Sequence, residues 1–203
     1  MITTSMHIQQ KPFLKIFSFA LTLLGSFSAF AQAVYPVETS NNQPLVYRDA
    51  SGNFNGCGVR TVFVTTVPKP THMGDVSMNV FKASQGQMMG MAKAGYVYIT
   101  DIKDPSKVKR IPITSFMMAN SSGKAVNMMA IKPSEDKDAL ISTVPEEDAY
   151  SFIVDITTGK TVQVGVKLPN EKSVRIFSMK PPLMSKEEAE QLVSCLSQIS
   201  KTK

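Results

Sequence analysis

The chain has no tryptophan, two cysteines and two histidines, and each shortage removes a class of chemistry. One histidine, His7, falls in a stretch that reads as a leader, which leaves His72. The common zinc sites need a second histidine that the remaining chain does not have. Cys57 and Cys195 form no CxxC pair, which speaks against thiol–disulfide catalysis. A Ser-His-Asp triad would have to use His72, and no GxSxG elbow accompanies it. "GQMMGMAKAG" has glycines but no lysine–serine pair, so no phosphate-binding loop is indicated. The lysines are scattered, and no arginine-rich or aromatic-interleaved run suggests a nucleic-acid surface. The acids of "PEED" and "SKEE" open two expected helices, where carboxylates stabilise the positive end and face solvent. The expectation is a protein that is not an enzyme, with no catalytic residue assigned.

What is present begins with an export signal. Residues 1–16 carry Lys11 and Lys15 and no acid, "IFSFALTLLGSFSAF" is a short apolar stretch, and Ala31 and Ala33 stand at small-residue positions before "VYPVE". This order predicts a signal peptide over residues 1–33, cut after Ala33, with Ala29 to Ala31 as a second cut. The stretch falls short of the roughly 20 apolar residues of a spanning helix. The mature form is expected to carry no membrane span and to be periplasmic or secreted. Residues 34–203 keep 16 acids against 20 bases, a modest positive balance. In an oxidising compartment Cys57 and Cys195 are expected to form one disulfide.

Residues 34–44 are polar and carry proline, and read as a flexible N-terminal arm. Residues 45–203 read as one β-rich domain. Short strands are expected over 45–48 and 57–66, and "DVSMNVFKA" alternates with Val76, Met78 and Val80 on one side. "GQMMGMAKAGYVYITDI" reads as one long strand, and "RIPITSFMM" as a strand whose Pro112 favours an edge or bulge. "ANSSGK" is expected to be a hairpin loop with "AVNMMAIK" as its return strand. After "ALISTV", the residues Ala149, Phe152, Ile153 and Ile156 follow helical spacing, predicting a short helix near 145–157. "KTVQVGVKL" and "KSVRIFSM" alternate, with Val162, Val164, Val166 and Leu168, then Val174 and Ile176, inward. Ser185 and Glu188 make a capping-box pattern that opens a C-terminal helix near 185–200. Its stripe is Ala189, Leu192, Val193, Leu196 and Ile199, and Cys195 lies on the same face. The fold class is therefore mainly β (α+β), an antiparallel curved sheet or sandwich with two helices, in which the disulfide staples the last helix to a strand.

Thr71 to Met91, "THMGDVSMNVFKASQGQMMGM", concentrates soft donors. Thioethers select Cu(I), so His72, Met73, Met78, Met88, Met89 and Met91 make an alternative copper site. The competing reading is packing, because methionine fills irregular core space and adaptable surfaces. Met78 is expected to be buried. His72 is expected to be in the proline-rich loop "VPKPTHMG" near solvent, with no three of the six side chains converging.

"YRDASGNFNGCGVRTVFV", "VSMNVFKA", "GKTVQVGVKL" and the cysteine-bearing terminal helix resemble small exported proteobacterial proteins of unassigned function. The leader, the β-rich body and the "GKTVQVGV" strand are also similar to the invasion-associated locus B family, which typically has more cysteines. The resemblance implies a role in the envelope or at the host interface and implies no reaction. The leading expectation is an exported, non-enzymatic binding protein whose partner is a protein or envelope component. A Cu(I)-binding periplasmic protein is the alternative, and a hydrolase using dispersed carboxylates is the third reading.

Overall fold

The computed structural model describes residues 33–83, 86–101, 103–104 and 107–201. The expected leader, apart from Ala33, lies outside them. The chain runs β1 (Val34–Pro36), β2 (Thr39–Arg48), β3 (Phe54–Thr65), β4 (His72–Lys82), β5 (Met88–Ile99), β6 (Val108–Arg110), β7 (Ser115–Ala119), β8 (Ala130–Pro133), β9 (Leu140–Val144), α1 (Glu146–Thr157), β10 (Val162–Lys167), β11 (Arg175–Met179) and α2 (Lys186–Lys201). It is mainly β, with antiparallel sheets, a short helix and a C-terminal helix.

The larger sheet has seven strands in the order β2-β3-β4-β5-β9-β8, with β6 paired to the far end of β5. The smaller has the order β1-β11-β10-β7, and only β1–β11 is parallel. One face of the large sheet is the core face. Val59, Phe63, Val76, Met78, Val80, Ala92 and Ala94 point there, and α1, α2 and the small sheet cover them. Phe63 and Tyr96 meet Phe177 of the small sheet at 5.2 and 5.7 Å between ring centroids. Ala149, Phe152, Ile153 and Ile156 are all buried, so the helical spacing of α1 is the spacing of its core stripe.

Cys57 in β3 is bonded to Cys195 in α2 with Cα atoms 5.9 Å apart, which fastens the last helix to the large sheet. The capping box at the start of α2 is formed. Glu188 N donates to Ser185 Oγ, and Ser185 N donates to Glu188 Oε2.

Several local expectations are corrected. The segment 34–44 is no flexible arm. Val34–Pro36 pairs with β11, and the next residues cross to the large sheet, where Thr39 to Pro44 pair with β3. Its polar residues fit there because Asn42, though buried, bonds Pro182 O and accepts from Thr61 Oγ1. "RIPITSFMM" is two strands in different sheets. Proline has no N–H for a ladder, and Pro112 lies where the chain leaves β6 for β7. "AVNMMAIK" does not return alongside β7 beyond a bridge of Ala119 to Ala125. Its last residues form β8 and pair with β9 instead.

One acid of "PEED" is corrected too. Asp148 is buried rather than solvated, and Asp155, later in α1, is also buried. Asp148 accepts from Lys124 Nζ and Asn127 N, and Asp155 from Ser121 N and Lys160 Nζ. They hold the 120–127 segment against the helix, which explains why it does not continue as a hairpin. In β11, Phe177 and Met179 enter the core beside Val162 and Val164, while Ile176 takes the opposite face. Val193 is 65% exposed and lies off the buried stripe of α2, which is Leu192, Cys195 and Ile199.

Candidate functional site

Alternation that sends one residue into the core sends the next to the opposite face. Tyr47 on β2, Arg60 on β3, Asp75, Ser77 and Asn79 on β4, and Met91 and Lys93 on β5 therefore share the face that neither helix covers. The segment from Lys132 to Asp136 borders it, and together they line a groove of about 740 Å³.

The groove has two chemically different ends. At one end Tyr47 and Phe81 form an aromatic pair with centroids 4.9 Å apart. Glycine makes this approach possible. A Cβ on Gly56 would stand 2.4 Å from the Phe81 ring, and one on Gly58 would stand 2.3 Å from Asn79 Oδ1. Tyr47 Oη donates to Asn79 Oδ1 at 3.4 Å, and burial pushes the Tyr47 hydroxyl pKa up. Met89 and Met91 extend this end along β5, opposite Phe81 and Asn79.

The other end is charged. Arg60 forks onto Asp75 with Nε and Nη2 at 2.9 and 2.6 Å from its two oxygens. The Asp75 hydrogen bond raises the Arg60 pKa against the effect of burial. Lys93 pairs with Asp136 across the groove floor. Both pairs are partly solvated, so each stabilises the fold by about 0–1 kcal/mol at most. Their role is to set a local charge pattern. The charged end runs on into a second hollow of about 190 Å³, where Met73, Val97 and Arg110 join the same ion pairs.

The structure separates the six alternative copper donors. His72, Met78 and Met88 lie on the core face of β4 and β5, and Met73, Met89 and Met91 on the open face. Along a strand rising about 3.3 Å per residue, His72 and Met78 are roughly 20 Å apart. Met73 stands opposite Val97, again roughly 20 Å from Met91. Met89 and Met91 are the two that share a place. Among the described residues no group of three His, Cys, Asp or Glu side chains is arranged to hold a metal ion.

His72 is not in a loop near solvent. It is the first residue of β4, opposite Thr65, and is fully buried. The two prolines of "VPKPTHMG" end one residue before the strand, so the turn is shorter than the composition suggests. The groove is lined by no histidine and no cysteine among the described residues. Its side chains can offer aromatic and thioether surface, amide and hydroxyl hydrogen bonds, and charges of both signs.

Alternation along β4 is enough to place Met78 in the core, whereas the groove is not legible along the chain. The signal was present in the off-beat positions of β4, Asp75, Ser77 and Asn79. Their partners on other strands became visible only through the register of pairing.

No helix among the described residues is long and apolar enough to cross a membrane. No family model matches the chain, and no curated protein is similar to it.

Proposed function

We propose that the chain is an exported, non-enzymatic binding protein of the bacterial envelope or periplasm, and that its open sheet face receives a segment of a partner protein. The observation that carries this reading is the groove. One face of the large sheet is sealed by helices and the second sheet, while the other is concave and chemically mixed. A volume of about 740 Å³ falls within the range typical of ligand clefts.

The lining argues for the class of partner. Arg60, Lys93 and Lys132 balance Asp75, Glu135 and Asp136, so the groove favours neither a polyanion nor a polycation. Aromatic and methionine surface at one end suits apolar side chains, since methionine adapts its shape to what it meets. Fixed charges of both signs at the other end suit a segment carrying its own charged residues, and such patterning gives specificity more than affinity. The export part of the reading rests on the leader sequence, the disulfide and the resemblance to exported envelope proteins.

A photo-crosslinker at Met91 tests this, with one at Val193 as the control on the far side of the molecule. Met91 is expected to give one discrete protein adduct in envelope extract, and Lys93→Glu is expected to abolish it. Equal labelling from both positions, or an adduct indifferent to Lys93→Glu, would remove the groove as the binding face.

A further inference from the structure

We propose that His72 is an acid-sensing latch: its buried neutral ring tethers residues 66–71 to the end of the large sheet, and protonation of that ring releases them. The tether is a hydrogen bond between His72 Nε2 and Pro68 O at 2.5 Å. A carbonyl oxygen only accepts, so Nε2 carries the hydrogen and Nδ1 of the neutral ring is a bare acceptor. Nδ1 is buried and has no hydrogen-bond partner among the described residues. A proton added there creates a buried cation with an N–H that nothing is placed to accept.

Aromatic rings, a hydroxyl and an already paired carboxylate surround that cation. From β5, the ring of Tyr96 stacks on the imidazole at 5.3 Å and that of Tyr98 meets it edge-on at 4.7 Å. From β3, Thr65 stands directly opposite, with its hydroxyl within hydrogen-bond distance of both Pro36 O and Val67 O. From β11 and the turn before it come Arg175 and Glu171. Glu171 is the one carboxylate in this group, and Arg175 already engages both its oxygens, from Nε at 3.0 Å and Nη2 at 2.5 Å. Lys69, within the tethered loop, is exposed.

Tyr96 Oη and Arg175 Nη1 are also buried. They lie close enough to influence each other's charge, yet neither completes an aligned hydrogen bond. Among the described residues, no acceptor of the cluster stands within hydrogen-bond reach of Nδ1. Burial, the largest influence, and Arg175 hold the His72 pKa below its ordinary value, while Pro68 O and Glu171 oppose them.

The direction of the response follows. An open loop exposes a histidine of ordinary pKa, about 6.5, whereas the closed loop holds one of lower pKa. The open form therefore binds more protons in acid. The closed form is favoured fully above about pH 6.5 and loses ground as pH falls toward the depressed value. Residues 66–71 belong to no strand. Thr66 is held by Glu38, Val67 by the Thr65 hydroxyl and Thr71 O by Ile99 N, so Pro68 to Pro70 are the part of the loop with least to hold them when the ring turns cationic.

The test uses the full chain with His7→Gln, which leaves one imidazole signal for magnetic resonance. Its titration is followed from pH 8 to 4 alongside amide exchange at residues 66–73, corrected for intrinsic rates. The ring is expected to titrate below the ordinary range. Between about pH 6.5 and the ring's own pKa, protection at 66–73 should fall about ten-fold as the pH drops by one, while α1 and β10 keep theirs. His72→Gln should remove the fall in protection at 66–73 between about pH 6.5 and the parent ring's pKa. A ring that titrates near 6.5, one still neutral at pH 4, or one that titrates without change at 66–73 would overturn the latch. If His72→Gln does not fold, the comparison of ring and amides in the histidine-bearing chain decides alone.

Discussion

Met78 and Met89 are eleven residues apart in sequence and on opposite faces of one hairpin. Met78 is fully buried among Val59, Val76 and Val80, and Met89 is 36% exposed. Truncating Met78 to Ala removes buried volume that its strand neighbours cannot fill, so a loss of about 2–5 kcal/mol is expected. Met89→Ala should change stability by no more than about 0.5 kcal/mol. Urea denaturation of the two variants checks the contrast, and equal losses would mean that the face assignment is wrong. Alternation made Met78 readable in the sequence. His72 was not readable, because prolines beside it imitate a loop and its burial depends on Arg175 and Tyr96 arriving from distant segments.

At the scale of elements, α1 carries more than its core stripe. Asp148 and Asp155 gather backbone N–H groups and lysines from the 120–127 segment and the end of the helix. The Lys124 hydrogen bond, then Asn127 N, hold the Asp148 pKa below the ordinary carboxylate range. For Asp155 burial pushes upward, but bonds from Ser121 and Lys160 outweigh it and the net shift is downward. A depressed carboxylate pKa contributes stability that is present above the unfolded value, about 3.9, and lost as pH falls through the folded value. Asp148→Asn should therefore be less stable than the parent at pH 7, and the difference should shrink as pH falls below about 4. Thermal melts of both proteins across that interval measure it, and a gap that stays constant in acid would deny Asp148 this role. Alternation within β10 and helical spacing within α1 reflect local burial, so they could be read from the chain. The fate of "AVNMMAIK" could not. The turn expected at "ANSSGK" is formed, with Asn120 Oδ1 accepting from Ser122 N and Lys124 N, but buried Asp148, on a later helix, holds the segment after it. The groove shares this limit, since its residues come from strands whose neighbours are set by register.

At the scale of the whole molecule, two fastenings join early elements of the chain to late ones. β1 pairs with β11 at one end, and the Cys57–Cys195 bond ties α2 to β3 at the other. Leu192, Cys195 and Ile199 form the buried face of α2, with Ala189 and Leu196 half-buried beside them, a modest stripe for a helix of 16 residues. The covalent link therefore has a large share in keeping α2 docked. The bond closes a separation of 138 residues, for which the chain-entropy account gives about 5 kcal/mol, with measured bonds more often at about 2–4. Replacing both cysteines with serine should lower stability within that span, and the first amides to lose protection should be those of α2. Loss of protection in α1 at the same rate would instead mean that the two helices unfold as one unit and that the bond stabilises the fold globally. Thiol labelling of denatured, unreduced protein should find neither cysteine free. Two reactive thiols would remove the staple, and with it the support that an oxidised pair lends to export.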